Sequence, residues 1–229
     1  GGDTSCPSGN CLTQDPSLKL YMSFNQTNAN DESGNGNNGI VNGATWTSNG
    51  RFGGAYDLDG TDDYISISSP LDLDFGANVD KSYTLSAWIQ MDSYGSGNNG
   101  RIIDWSDDQN ALKGYTFYVT GSPNNQSRIR HNNYTSTASS TIGSLNLGNW
   151  QHVVAIYNYQ TNEVKYYING VLDSIVPYAG IPGTGRTADF RIGARQSSTV
   201  SFFDGRIDEI MVWDKILNQN EINALYNNQ

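Results

Sequence analysis

The sequence predicts an all-β protein, a two-sheet antiparallel sandwich with one short C-terminal helix. Three observations predict it. Short runs of alternating apolar and polar residues recur along the chain, and turns built from Gly, Asn and Asp separate them at regular spacing. Only the C-terminal tail changes to a helical period. The pattern fits roughly ten to fourteen strands.

Residues 1–17 are rich in Gly, Ser and Pro without periodicity and read as an N-terminal arm; residues 18–229 read as one domain. The first strand is Leu18–Phe24, where Leu18, Leu20, Met22 and Phe24 alternate with Lys19, Tyr21 and Ser23. A long polar loop, Asn25–Gly43, follows, with four glycines between 34 and 43. Together with Asp31 it either aims several carbonyls at one hard cation or is an ordinary flexible loop; the residues leave both readings open. Ala55–Leu58 and Tyr64–Ile67 form a hairpin about Asp59-Gly60. Its acids, Asp57, Asp59, Asp62 and Asp63, resemble an EF-hand loop, but no Glu closes it and no helix flanks it, so they read as turn caps.

Further strands are Tyr83–Gln90, Arg101–Ser106, Gly114–Val119, Ser127–His131, Asn149–Tyr157, Val164–Ile168, Val171–Val176 and Asp189–Gly193. Asn169-Gly170 between two of these is a strong hairpin signal. In Phe202–Trp213, alternation places Ile207, Glu209, Met211 and Trp213 on one side and Asp208, Ile210 and Val212 on the other. Apolar residues on both sides mark a central strand. Asp208 and Glu209 then face opposite ways, and each needs a cation, backbone amides or basic side chains to offset its desolvation. In the tail, Asn218 with Glu221 makes a capping pair, and Ile222, Leu225 and Tyr226 share one helical face.

The net charge of −10 argues against binding nucleic acid or an anionic membrane surface, which needs a basic face. No apolar run approaches the ~20 residues of a membrane helix, and no signal peptide is visible, so an exported chain is expected here in mature form. Cys6 and Cys11 are expected to close a small disulfide loop; a metal pair is the alternative, and zinc would need two more ligands. Three sequons begin at Asn25, Asn125 and Asn133. Disulfide and sequons together predict an extracellular or cell-surface protein.

Several segments carry a family likeness: Asp31–Gly39, Tyr56–Tyr64, Tyr83–Trp88, Trp150–Val154, Tyr167–Val171, Phe190–Gly193, Gly205–Trp213 and Glu221–Tyr226. In this order they resemble the laminin-G-like, pentraxin-related jelly rolls of the concanavalin A-like lectin/glucanase superfamily. The resemblance implies two curved sheets and a calcium ion at the rim, where the early glycine loop meets the late Ile-Asp-Glu strand. Carried over, the ligands are Asp31, a carbonyl near Asn35 or Gly36, and Asp208. Related pentraxins hold calcium at the position of Asp62-Asp63, for which this sequence offers no obvious completing cluster.

Glucanases of this fold use two carboxylates about 5–5.5 Å apart. The four glutamates, at 32, 163, 209 and 221, do not form the Glu-x-Asp-x-x-Glu strand pattern, and His131 and His152 read as structural, so no catalytic residue is expected. A sugar-binding rim is expected from Tyr94, Asn98, Asn99, Trp105 and Asn132, with burial of Trp46 and Trp105 in the core as the competing reading. The expected function is a non-catalytic glycan-binding or adhesion module. The alternative is a filament or surface-layer subunit that self-assembles by pairing its N-terminal arm with a neighbour's edge strand.

Overall fold

The computed structural model describes residues 11–68, 70–75, 81–106, 114–121, 128–132, 137–178, 188–196 and 200–227, with only the backbone of Cys11, Leu71 and Asn132. The described strands are β1 Leu18–Met22, β2 Ile40–Asn42, β3 Thr45–Thr47, β4 Ala55–Asp59, β5 Tyr64–Ile67, β6 Tyr83–Met91, β7 Arg101–Ser106 and β8 Gly114–Thr120. They continue with β9 Arg128–Asn132, β10 Thr137–Ser139, β11 Trp150–Asn158, β12 Glu163–Ile168, β13 Val171–Pro177, β14 Phe190–Ile192 and β15 Asp204–Trp213, before helix α1, Gln219–Asn227. The fifteenth strand exceeds the sequence expectation because the three-residue β2 and β3 lie in stretches whose polarity reads as loop.

All pairings are antiparallel and build two sheets. One runs β13-β12-β11-β6-β15-β4-β3; the other runs β10-β9-β8-β7-β14-β5-β2. In the first, β4 pairs with Asp204–Ile207 and β1 with the later part of β15 up to Trp213, so both lie end to end along one edge of β15. The sheets enclose a core in which Phe75, Tyr83, Tyr115 and Tyr157 form a continuous stack, with ring centroids 4.9–5.6 Å apart. Each such buried side chain contributes roughly 1.5–3 kcal/mol by leaving water.

The tail folds as its sequence predicts. Asn218 Oδ1 accepts from the amides of Asn220 (2.9 Å) and Glu221 (3.2 Å), and Glu221 Oε2 accepts from the Asn218 amide (2.6 Å). Ile222 and Leu225 of α1 pack on Leu18, Val154, Ile156, Met211 and Trp213, a second apolar cluster on the outer face of the eight-stranded sheet.

Among the described residues, register shifts interrupt four pairings. The one between Leu18 and Leu20 puts Leu18 in the outer cluster and Leu20 in the core, against the expected common face. Two others shape the candidate site. Along β15, Asp208 is opposite Trp88 but Met211 is opposite Ser86: three steps against two, a β-bulge. Glu209 takes the left-handed conformation, with φ 50°. Ile207, Ile210 and Val212 consequently all enter the core between the sheets, while Asp208 and Glu209 share the outer face instead of facing opposite ways. Along β7, Arg101 is opposite Tyr118 and Ile103 opposite Phe117, a second bulge. It sends Ile102 and Ile103 both into the core and leaves Arg101 on the outer face with Asp104.

Cys6 and the sequons at Asn125 and Asn133 lie outside the described residues. Asn25 is exposed.

Candidate functional site

On the seven-stranded sheet, residues alternating with the core chains form a polar outer face. One row across the strands reads Ser66, Arg191, Asp104, Thr116, Asn132 and Thr137 by register. Beside it lie Asn42, Tyr64, Arg101, Tyr118 and Arg130. The guanidinium of Arg101 sits 4.1 Å from the centre of the Tyr118 ring, and that of Arg191 sits 4.3 Å from Tyr64. Arg101 also pairs with Asp104 (Nε–Oδ2 3.0 Å), whose Oδ1 accepts from the Ser106 hydroxyl at 2.7 Å. Arg101 is 9% exposed and Asp104 0%. Among the described residues, Arg101 Nη1 and Arg191 Nε are buried without a hydrogen-bond partner. Such groups are costly to leave unmade.

The predicted rim adjoins this face only in part. Tyr94 packs its ring against Gly121, where a Cβ would come within 2.5 Å of it; Gly121 follows β8, and the preceding Thr120 pairs with Arg128. The turn carrying Asn98 and Asn99 is tied to the chain before β15 by the Phe202 amide, which donates to Ser96 Oγ (2.8 Å). Asn98 is exposed and Asn99 half-buried. Asn132 lies in β9, and its side chain lies outside the described residues. Trp105 corrects the expectation: it is 1% exposed, packs in the core and donates from Nε1 to Ala188 O (3.0 Å), so it offers no stacking surface. Trp46 is half-buried, with Nε1 donating to Phe24 O (2.9 Å).

The acids of β15 are answered by backbone amides and a tyrosine hydroxyl. Asp208, 0% exposed, accepts from Arg51 N (2.8 Å) and Phe52 N (3.0 Å) on one oxygen and from Glu209 N (2.7 Å) on the other. Burial raises its pKa to about 7 against these bonds. Burial and the neighbouring Asp208 raise Glu209 to about 8, and the Tyr21 hydroxyl donates to its Oε2 (3.1 Å). Asp31 is likewise taken up within its own loop, accepting from Tyr21 N (3.0 Å), Ser33 N (2.9 Å) and Asn37 N (2.9 Å). Asn35 spends its side-chain amide on Leu18 O (2.9 Å), and Gly36, with φ 80°, turns the loop. Asp31 and Asp208 accept from different amides and share no hydrogen-bond partner among the described residues. By contrast, carboxylate oxygens of Asp59, Asp62 and Asp63 lie within 4.8 Å of one another, the only such group of three or more among the described residues. Asp59 thus stands beside the Asp62-Asp63 pair.

Residues 59–223 match the family described as the concanavalin A-like lectin/glucanases superfamily. The chain belongs to this superfamily. No curated protein matches it. Among solved structures it is similar to domain 4 of AbnA, a GH43 extracellular arabinanase from Geobacillus stearothermophilus, in complex with arabinotriose: TM-score 0.69, 18% identity, 92% of this chain and 98% of that one. It is also similar to the binding domain of Paraclostridial Mosquitocidal Protein 1 (TM-score 0.69, 17% identity, 92% of this chain, 52% of that one). A botulinum neurotoxin type C structure, described by the toxin's interaction with two ganglioside molecules, matches at TM-score 0.69 and 16% identity over 95% of this chain. The chain spans about half the length of these toxin chains.

The bulge brings Asp208 and Glu209 to one face, where both are buried. Glu209 is 6% exposed, and Arg51, Phe52 and Tyr226 cluster around the neighbouring Trp88, with Arg51 4.5 Å from the Trp88 ring and Tyr226 stacked on it at 5.5 Å. His152, 1% exposed, has Nε2 2.9 Å from Ser86 Oγ, and burial lowers its pKa to about 3, so it packs as a neutral ring.

Proposed function

We propose that the protein is a non-catalytic carbohydrate-binding module of the cell exterior or surface, holding its glycan on the outer face of the seven-stranded sheet, beside the Tyr94–Asn99 turn. The observation that carries this reading is the face itself: two stacked Arg–Tyr pairs among Ser66, Thr116 and Asn42, with buried guanidinium N–H groups left unpaired. Tyr64, half-buried, covers the C–H face of a sugar, and the arginine N–H donors held by the tyrosines take its hydroxyls. The similar arabinanase domain in complex with arabinotriose supports it. Calorimetric titration with oligosaccharides tests it: Tyr118→Ala should weaken binding at least tenfold with the fold intact, and unchanged affinity would refute it.

A calcium ion enters this reading at Asp59, Asp62 and Asp63. Asp63 is 8% exposed, and burial and then repulsion from Asp59 and Asp62 raise its pKa against a bond from the Asp59 amide. Such mutual repulsion is what a divalent cation relieves. Chelator should lower the melting temperature of the wild type and not of Asp62→Asn; equal behaviour of the two sinks the proposal.

A second reading, self-assembly or adhesion through protein contact, draws on β13. Among the described residues it is an edge strand paired only with β12, with Val171 69%, Leu172 43% and Ile175 50% exposed. Light scattering of wild type and Ile175→Lys decides it: a monomer at all concentrations excludes self-assembly.

A further inference from the structure

The chain is acidic overall, yet its charges are segregated between the two sheets. The strands of the eight-stranded sheet carry seven acids, at 57, 59, 163, 173, 204, 208 and 209, against Lys19, Lys165 and Arg206. The strands of the seven-stranded sheet carry four arginines, at 101, 128, 130 and 191, against Asp104 alone. All four arginines alternate with core residues and so belong to the outer face. They lie on β7, β9 and β14, and the registers place β8 between β7 and β9 and pair Arg191 with Asp104.

Sequence economy alone does not explain this. A sheet face that merely met water in a protein of this charge would carry acids or amides at little cost. Buried guanidinium groups are retained where a carboxylate or comparable anion completes them, because the planar fork matches the two oxygens. Asp104 answers one edge of Arg101 only, through Nε. Arg191 Nη1 donates to Arg195 O (3.2 Å) while its Nε has no partner among the described residues, and Arg130 Nε donates to Ser139 Oγ (3.2 Å), a neutral acceptor. The stacked tyrosines hold Arg101 and Arg191 in place beforehand, so a ligand need not immobilise them.

Resting on the glycan-binding reading above, we infer that the ligand of this face is an acidic oligosaccharide, one whose sugars bear carboxylates. The carboxylate lies between Arg191 and Arg101, and flanking sugars run towards Arg130 and Arg128 on β9. The carboxylate is common to uronic acid chains and to sialylated termini, and separate titrations distinguish them.

The experiment is calorimetric titration of the full chain with an oligogalacturonate, with sialyllactose, and with their neutral counterparts, a carboxyl-reduced oligogalacturonate and lactose. At least one acidic ligand should bind ten- to a hundredfold more tightly than its neutral counterpart, since hydrogen bonds to charged groups are worth about 1.5–3 kcal/mol each. That affinity should fall as salt is raised. Arg191→Gln should lose about tenfold for the acidic ligand and little for a neutral one, with Arg191→Lys recovering part of the loss. Because Arg191 is only half-buried, its variants are expected to fold, and unchanged melting curves check this. Equal binding of acidic and neutral ligands overturns the charge inference while leaving the glycan reading standing. Binding to none of the four removes the inference and the glycan reading for these sugars together.

Discussion

Replacing Asp208 by alanine deprives three backbone N–H groups, those of Arg51, Phe52 and Glu209, of their acceptor. At about 1 kcal/mol for each buried donor left unpaired, the loss is about 3 kcal/mol. Against it stands the burial of the carboxylate, which raises the Asp208 pKa to about 7 in spite of those bonds. A raised folded-state pKa means that the associated stability is fully present below the unfolded value and is lost as pH rises through the folded one. Between pH 5.5 and 9 that difference is worth about 2 kcal/mol to the wild type and nothing to the alanine variant. The cost of the substitution should therefore be about 2 kcal/mol larger at pH 5.5 than at pH 9. Urea denaturation of both proteins at the two pH values, followed by tryptophan fluorescence, measures both numbers. A cost that is equal at the two pH values, or larger at pH 9, would show that the amides hold Asp208 ionised throughout and that burial has been weighted wrongly.

Acid should destabilise the fold through its histidines. Burial lowers both His131 and His152 from 6.5 to about 3, so their contribution is complete above pH 6.5 and lost as pH falls towards 3. Roughly 2–3 kcal/mol per histidine should be missing by pH 4.5, visible as a falling urea midpoint that His152→Gln makes shallower. Asn218→Ala breaks the cap of α1 and should cost about 1 kcal/mol, a melting shift of a few degrees. Trp105→Ala should cost about 3–5 kcal/mol, read by denaturation, because it empties core volume. Glycan affinity per folded molecule should hold within a few-fold, whereas a specific loss of binding would return Trp105 to the rim.

The sequence makes most of the sandwich legible because period-two alternation survives wherever a strand is regular. Tyr83–Met91 and Trp150–Asn158 alternate throughout, and the Asn169-Gly170 turn joins β12 to β13 as expected. The capping pair at Asn218 and Glu221 was equally plain, being set by local hydrogen bonds. Alternation breaks at inserted residues, between Leu18 and Leu20 in β1 and, in the strands of the candidate site, at Arg101 and at Glu209. Nothing in Arg-Ile-Ile-Asp or Ile-Asp-Glu-Ile announces the insertion: a bulge appears only when the partner strand is known, and a non-glycine residue at φ 50° is not the residue type that advertises a left-handed turn. Both bulges carry acids or arginines to the outer faces, so the candidate site was the part the sequence hid. Trp105 was ambiguous for a different reason. Its strand is buried on both faces, and a tryptophan beside a loop looks the same whether its ring points inward or outward until the opposite sheet is in place.

β15 sits between β6 on one side and β1 with β4 on the other, and the Tyr21–Glu209 bond joins residues 188 positions apart. A chain emerging from the ribosome therefore exposes β1, β4 and β6 long before the strand that unites them exists. The eight-stranded sheet closes only after residue 213 is made, so earlier fragments have open strand edges and a strong tendency to associate with one another. Folding of this domain is thus a late, all-at-once event in synthesis. A chain cut short before residue 204 should be recovered as aggregate rather than as a smaller sandwich.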